Sequence, residues 1–214
     1  MKETARELRA VFGNGFLFYN PVLTAALSLY PAAVCASLSQ ALPVSLLLLV
    51  QSLLAGLVLW AVGSRLPDWL RPGVVFAVSA VCWIPAALLA ERAWPGSLSL
   101  LGAAASLQIA NSMVLSRLNE YAPTHILPAV AADVLGCTLG TGVLLSLQAA
   151  LRGWLASGSV WGETGAQAPF AGALGSAPAK PFFGFLVLGV LAAAVQALNA
   201  RRARRVGKRR VSRL

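Results

Sequence analysis

Asp133 is the residue that most needs explaining. It lies in the apolar run 126–149, "ILPAVAADVLGCTLGTGVLLSLQA". A carboxylate two turns into such a run costs several kcal/mol unless it is paired or protonated. Two readings follow: an ion or proton site facing the protein interior, or a carboxylate that caps a helix or binds a loop near the inner interface. A second polar group, Gln108, Asn111 and Ser112, falls within about one helical turn in the run 97–116, "SLSLLGAAASLQIANSMVLS". Such residues either hydrogen-bond to a neighbouring helix or line a site where a helix is interrupted. Cys35, Cys82 and Cys137 all sit in apolar runs and read as small buried hydrophobes. Cys82 and Cys137 fall near the middle of their runs, so they form the alternative metal pair if one exists. No Cys-x-x-Cys or zinc-type His/Cys spacing is present, and His125 is the single histidine. There is no nucleophile–base pair and no nucleotide-binding loop. At most, therefore, the chain is a non-autonomous subunit of an enzyme.

These residues sit on elements set by composition. Of 214 residues, 58% are hydrophobic and 11% charged, against about 25% charged in a soluble domain. Apolar runs of about 20 residues, each enough to cross the hydrocarbon as a helix, recur along the chain. They lack the alternation of barrel strands, so the fold class is all-α integral membrane. The spans are 21–40, 43–62, 73–92, 97–116, 126–149 and 181–200. Pro31 kinks the first and Pro85 breaks the third. The second carries no charge and reads as the most lipid-exposed. A broken span one facing a polar span four fits an inverted-topology repeat of three spans plus three, with half-sites meeting at the midplane. Residues 1–200 form one membrane domain. Small residues are dense in spans four to six, and Gly136 with Gly140 fits small-xxx-small packing.

Charge orients this domain. Net charge is +10, concentrated in a basic tail, 201–214. A nucleic-acid partner is possible for such a tail, but a basic segment just after a span better fits the cytoplasmic face and anionic lipid. With the N-terminus inside, the inner segments collect Lys2, Arg6, Arg9, Arg65, Arg71, Arg117 and the tail. The outer segments hold only Arg92, Arg152 and Lys180. Both termini are therefore expected in the cytoplasm, with the Gly-rich segment 152–180 outside. The first apolar run begins late and Glu3 and Glu7 dilute the charge before it, so it reads as a retained span and not a signal peptide. A bacterial plasma membrane is the expected location.

Three stretches in chain order resemble the paired membrane subunits of the Rnf and Na+-translocating Nqr electron transport complexes. They are "NPVLTAALSLYP" (Asn20 to Pro31), "ANSMVLSRLNEYA" (Ala110 to Ala122) and "DVLGCTLGTGVLLSLQAALRGWLASGSVWG" (Asp133 to Gly162). The inward termini and basic tail match the E-type (Nqr D-type) member better than its oppositely oriented sister. The resemblance implies six spans in an inverted repeat, other membrane subunits as partners, and ion-translocating electron transport. In the family, two sister subunits each supply two cysteines to a 2Fe–2S cluster within the membrane. Those positions here are Tyr30 and Ser112, and neither is a usual cluster ligand. Two family glutamates are replaced by Asn119 and Gly153. The expectation is thus a subunit without its own iron–sulfur ligands or cofactor, with Asp133, Asn111 and Gln108 on an ion path. The alternative is a stand-alone small transporter, or a structural membrane subunit, built on the same fold.

Overall fold

The computed structural model describes residues 2–163 and 175–211. The chain opens with α1, Lys2–Gly13, and a wide π-type turn, Asn14–Phe18. Two short helices follow, α2 Pro21–Ala25 and α3 Tyr30–Val34, then the long α4 Leu38–Val62 and α5 Arg71–Ala93. A second interrupted segment contains α6 Ser97–Leu101, α7 Ala103–Ser106, a 3-10 turn Leu107–Ala110, and α8 Ser112–Glu120. The long α9 Leu127–Ser157 precedes a 3-10 turn at Ala177–Ala179 and α10 Pro181–Val211. Among the described residues there is no strand.

Four helices are long and apolar enough to cross a membrane: Leu38–Arg65, Arg71–Ala93, Leu127–Ser157 and Pro181–Arg201. They correspond to expected spans two, three, five and six. The segments expected as spans one and four are strings of short helices. No single helix in either reaches the ~20 residues that crossing requires.

The first interruption does not come from Pro31. It comes earlier, where Ala26 and Ser28 adopt left-handed φ of 53° and 60°, a conformation costly for residues with a Cβ. Pro31 sits at the second position of α3, where its missing N–H costs nothing. Pro85 does not break its span either, since α5 runs through it to Ala93. In the second segment, Gly102 at φ 54°, ψ −136° separates α6 from α7. Asn111, in extended conformation, separates the 3-10 turn from α8.

α4 lies at the centre, packed most extensively against α9 and α5. Half of its apolar window is buried, against 22% for α10. The expectation that span two is the most lipid-exposed is therefore not met, and α10 is the more exposed helix. An uncharged helix suits a bundle core as well as it suits lipid, so composition alone does not separate the two. α9 also carries the N-terminal segment. Gly136 and Gly140 leave room for the backbone of Phe12 and Phe16 to lie directly on the helix, the close approach their spacing predicts. α9 runs to Ser157, beyond the expected end at 149, and stops at Gly158 in the left-handed region (φ 73°). Of the expected outer segment 152–180, residues 164–174 lie outside the described residues. So do the side chains of the basic tail beyond Arg201.

Candidate functional site at the junction of two interrupted helices

Two asparagines organise the interrupted segments in the same way. Asn20 and Asn111 each precede a short helix, α2 and α8, in extended backbone. Each side-chain oxygen accepts the N–H two residues on, from Val22 at 2.9 Å and from Met113 at 3.0 Å. This N-cap satisfies a donor that a helix start leaves unpaired. Each amide NH2 then reaches another part of the chain. That of Asn20 donates to the carbonyls of Gly15 and Cys137. That of Asn111 donates to Ser28 Oγ at 2.8 Å and Gln108 Oε1 at 3.2 Å.

The bonds made by Asn111 join the two interruptions. The N–H of Ser28 donates to Ser112 Oγ at 2.9 Å. The Tyr30 hydroxyl donates to Gln108 Oε1. Gln51 of α4 and Ser79 of α5 close the site from behind: Gln51 Nε2 donates to Ser79 Oγ at 2.7 Å and to the Gln108 carbonyl at 3.3 Å. Ser79 Oγ donates to the Ile109 carbonyl at 3.1 Å. Ser28, Gln51, Ser79, Gln108 and Asn111 are all buried. Unwound backbone is tolerated at such depth only when its polar groups find partners within the protein, and here side chains supply them. Gln108 Nε2 and Gln51 Oε1 remain without a hydrogen-bond partner.

The expected ion-path residues fall into two groups. Asn111 and Gln108 belong to the junction. Asp133, 4% exposed, stands instead with α8 and its own helix. Its Oδ2 lies 3.6 Å from Arg117 Nε, and Cys137 Sγ points to Oδ1 at 3.8 Å. The Arg117 contact is an ion pair too long for a hydrogen bond, and both atoms lack other hydrogen-bond partners. Asp133 therefore neither caps a helix nor binds a loop backbone in this arrangement. Between α8 and α9, Thr141 Oγ1 also donates to Met113 Sδ at 3.3 Å.

Three junction residues, Ser28, Gln51 and Ser79, carry no mark in the sequence analysis, and outside the junction Arg152 is placed differently from its expectation. Gln51 was detectable in principle, as a lone amide within "LLLLVQSLL", since a polar residue in an apolar span seeks a partner. Ser79 had no such signal. Arg152 was counted with the outer loop charges, yet it lies within α9 and is 1% exposed. At the end of an apolar run, the sequence does not distinguish a loop cation from a buried one.

A bundle of apolar helices whose two interrupted segments meet at a buried polar junction defines a polytopic membrane protein with an interior site. A profile of the Rnf-Nqr subunit membrane proteins matches residues 8–199, and the chain belongs to that family. No curated protein gives a significant match.

The junction coincides with the positions where the family resemblance places cluster ligands. Tyr30 and Ser112 stand on its two sides, but as hydrogen-bonding groups. The phenol is engaged with Gln108, and the Ser112 hydroxyl accepts a backbone N–H. Iron–sulfur clusters require thiolates, or histidine in their place, and this donor set does not fit one. Cys82 is on α5 and Cys137 on α9. Among the described residues no group of three or more His, Cys, Asp or Glu side chains is arranged to hold a metal ion.

Proposed function

We propose that this chain is a membrane subunit of an Rnf/Nqr-like complex that couples electron transfer to ion movement, and that it contributes no iron–sulfur ligands. Family membership across most of the chain supports the subunit role. The observation that carries the rest is the junction itself. Two interrupted helices meet where the family resemblance puts a cluster, joined by Ser28, Tyr30, Gln108, Asn111 and Ser112 through hydrogen bonds instead. In this reading the interrupted segments are spans one and four of a six-span, three-plus-three inverted repeat. The matched caps at Asn20 and Asn111 support that, as do the long helices α4 and α9 that follow them. Asn111 and Gln108 would line the ion path at the junction, and Asp133 would serve it near Arg117. Both termini face the cytoplasm of a bacterial plasma membrane. Removing the buried Arg152 from the outer loops strengthens the positive-inside bias behind that orientation.

The test is a mild-detergent pull-down of the tagged protein from native membranes, with partners identified by mass spectrometry. Recovery of flavin and iron–sulfur subunits is the expected result. Recovery of the chain alone, or with copies of itself, would overturn the subunit reading in favour of a stand-alone transporter on the same fold.

A further inference from the structure

A buried guanidinium is expensive unless its charge and its five N–H groups are all engaged. Arg152 meets that demand without an acidic partner among the described residues. Its Nε and two Nη groups donate to six backbone carbonyls, all at 3.3 Å or less. The carbonyls come in two sets. Ala32, Ala33 and Cys35 form the C-terminal end of α3, and Pro178, Ala179 and Lys180 form the turn that leads into α10. One turn earlier on the same face of α9, Gln148 Nε2 donates to the Ala32 and Cys35 carbonyls at 3.2 and 3.5 Å.

α3 needs this support. A helix of five residues is too short to be stable by itself in water, and its last carbonyls have no partner within the helix. A cation at a helix C-terminus is favourable for that reason. At the other end of the interrupted segment, Asn20 Nδ2 donates to the Cys137 carbonyl. Cys137 and Arg152 lie about 22 Å apart along α9 at ~1.5 Å per residue, so one rigid helix grips both ends of the interruption.

We infer that Arg152 is a positioning residue: its guanidinium clamps the end of α3 to the start of α10, and so holds Tyr30, at the other end of α3, against Gln108. The planar fork is essential. A lysine ammonium offers three donors from one point and cannot serve two sets of carbonyls facing it from different segments. Gly184 of α10 completes the clamp. A Cβ there would collide with the Ala32 carbonyl and stand 3.0 Å from Arg152 Nη1.

The native cysteines report on the clamp. Cys35 directly follows α3 and is fully buried. Cys82, on α5, is also buried but belongs to a different part of the core. The full-length protein in detergent is treated with a small maleimide, and the labelling rate of each cysteine is read by peptide mass spectrometry. In Arg152→Gln and Arg152→Lys, Cys35 is expected to label at least ten-fold faster, with Cys82 unchanged. An unchanged Cys35 rate overturns the inference, as does a rise common to all three cysteines, which would mean general loosening. Gly184→Ala, with Arg152 intact, attacks the same clamp from α10 and is expected to raise the Cys35 rate selectively. If neither Arg152 variant yields folded protein, an unchanged Cys35 in Gly184→Ala overturns it.

Discussion

Replacing Gly136 with alanine tests whether the N-terminal segment is seated on α9. A Cβ at Gly136 would stand 2.5 Å from the Phe12 carbonyl oxygen, 3.1 Å from its Cα and 3.2 Å from its carbonyl carbon. All three are backbone atoms, so no rotamer change relieves the clash. Reaching the ordinary contact distance of 3.4 Å requires α1 to retreat by about 0.9 Å, which breaks close packing along the seam. Overpacking of this kind costs ~1–3 kcal/mol. Alanine also gains up to ~1 kcal/mol of helix propensity over glycine, which would hide part of the loss. Gly189→Ala on α10 is the matched control, because nothing lies within 4 Å of its Cβ position. It carries the same propensity gain and no clash. The difference between the two variants therefore isolates the packing cost. At ~2–4 °C per kcal/mol for a chain of this size, Gly136→Ala should melt about 2–12 °C below Gly189→Ala. The assay is a thermal melt of both proteins in one detergent, followed by size-exclusion chromatography. Coincident melting curves would show that Phe12 does not rest on α9, and the account of the Gly136–Gly140 seam would fail.

Two further outcomes follow from the site. Asp133→Asn removes the charge facing Arg117 while nearly keeping the shape. It should abolish ion-coupled activity of the assembled complex at normal expression, measured as ion uptake into vesicles, and unchanged uptake would remove Asp133 from the path. The chain purified alone under anaerobic conditions should contain no stoichiometric iron or acid-labile sulfide. Finding both, in a protein whose Cys82 and Cys137 are intact, would put a cluster back into this subunit.

The sequence by itself determined that this is a membrane protein. Sparse charge and recurring apolar runs leave helices as the only economical way to pair every backbone group in lipid, and α4, α5, α9 and α10 appear where those runs are. It also marked Asn111, Gln108 and Ser112 as one unit, since residues within a turn of each other remain neighbours whatever surrounds them. Tertiary structure decided what such local rules do not reach. Pro31 and Pro85 carry the strongest breaking signals, yet the chain breaks at Ala26–Leu29 and at Asn111. There, partners from other segments take up freed polar groups, while a third break, at Gly102, uses the positive φ that glycine allows. α4 lies inside and α10 outside despite similar hydropathy, because lipid and protein core make the same demand on a side chain. Arg152 reads as a loop charge in the sequence, yet the fold covers its side chain almost completely. Its partners are carbonyls of Ala32 to Cys35 and Pro178 to Lys180. Backbone groups carry no sequence signature, so only the fold brings them to the guanidinium.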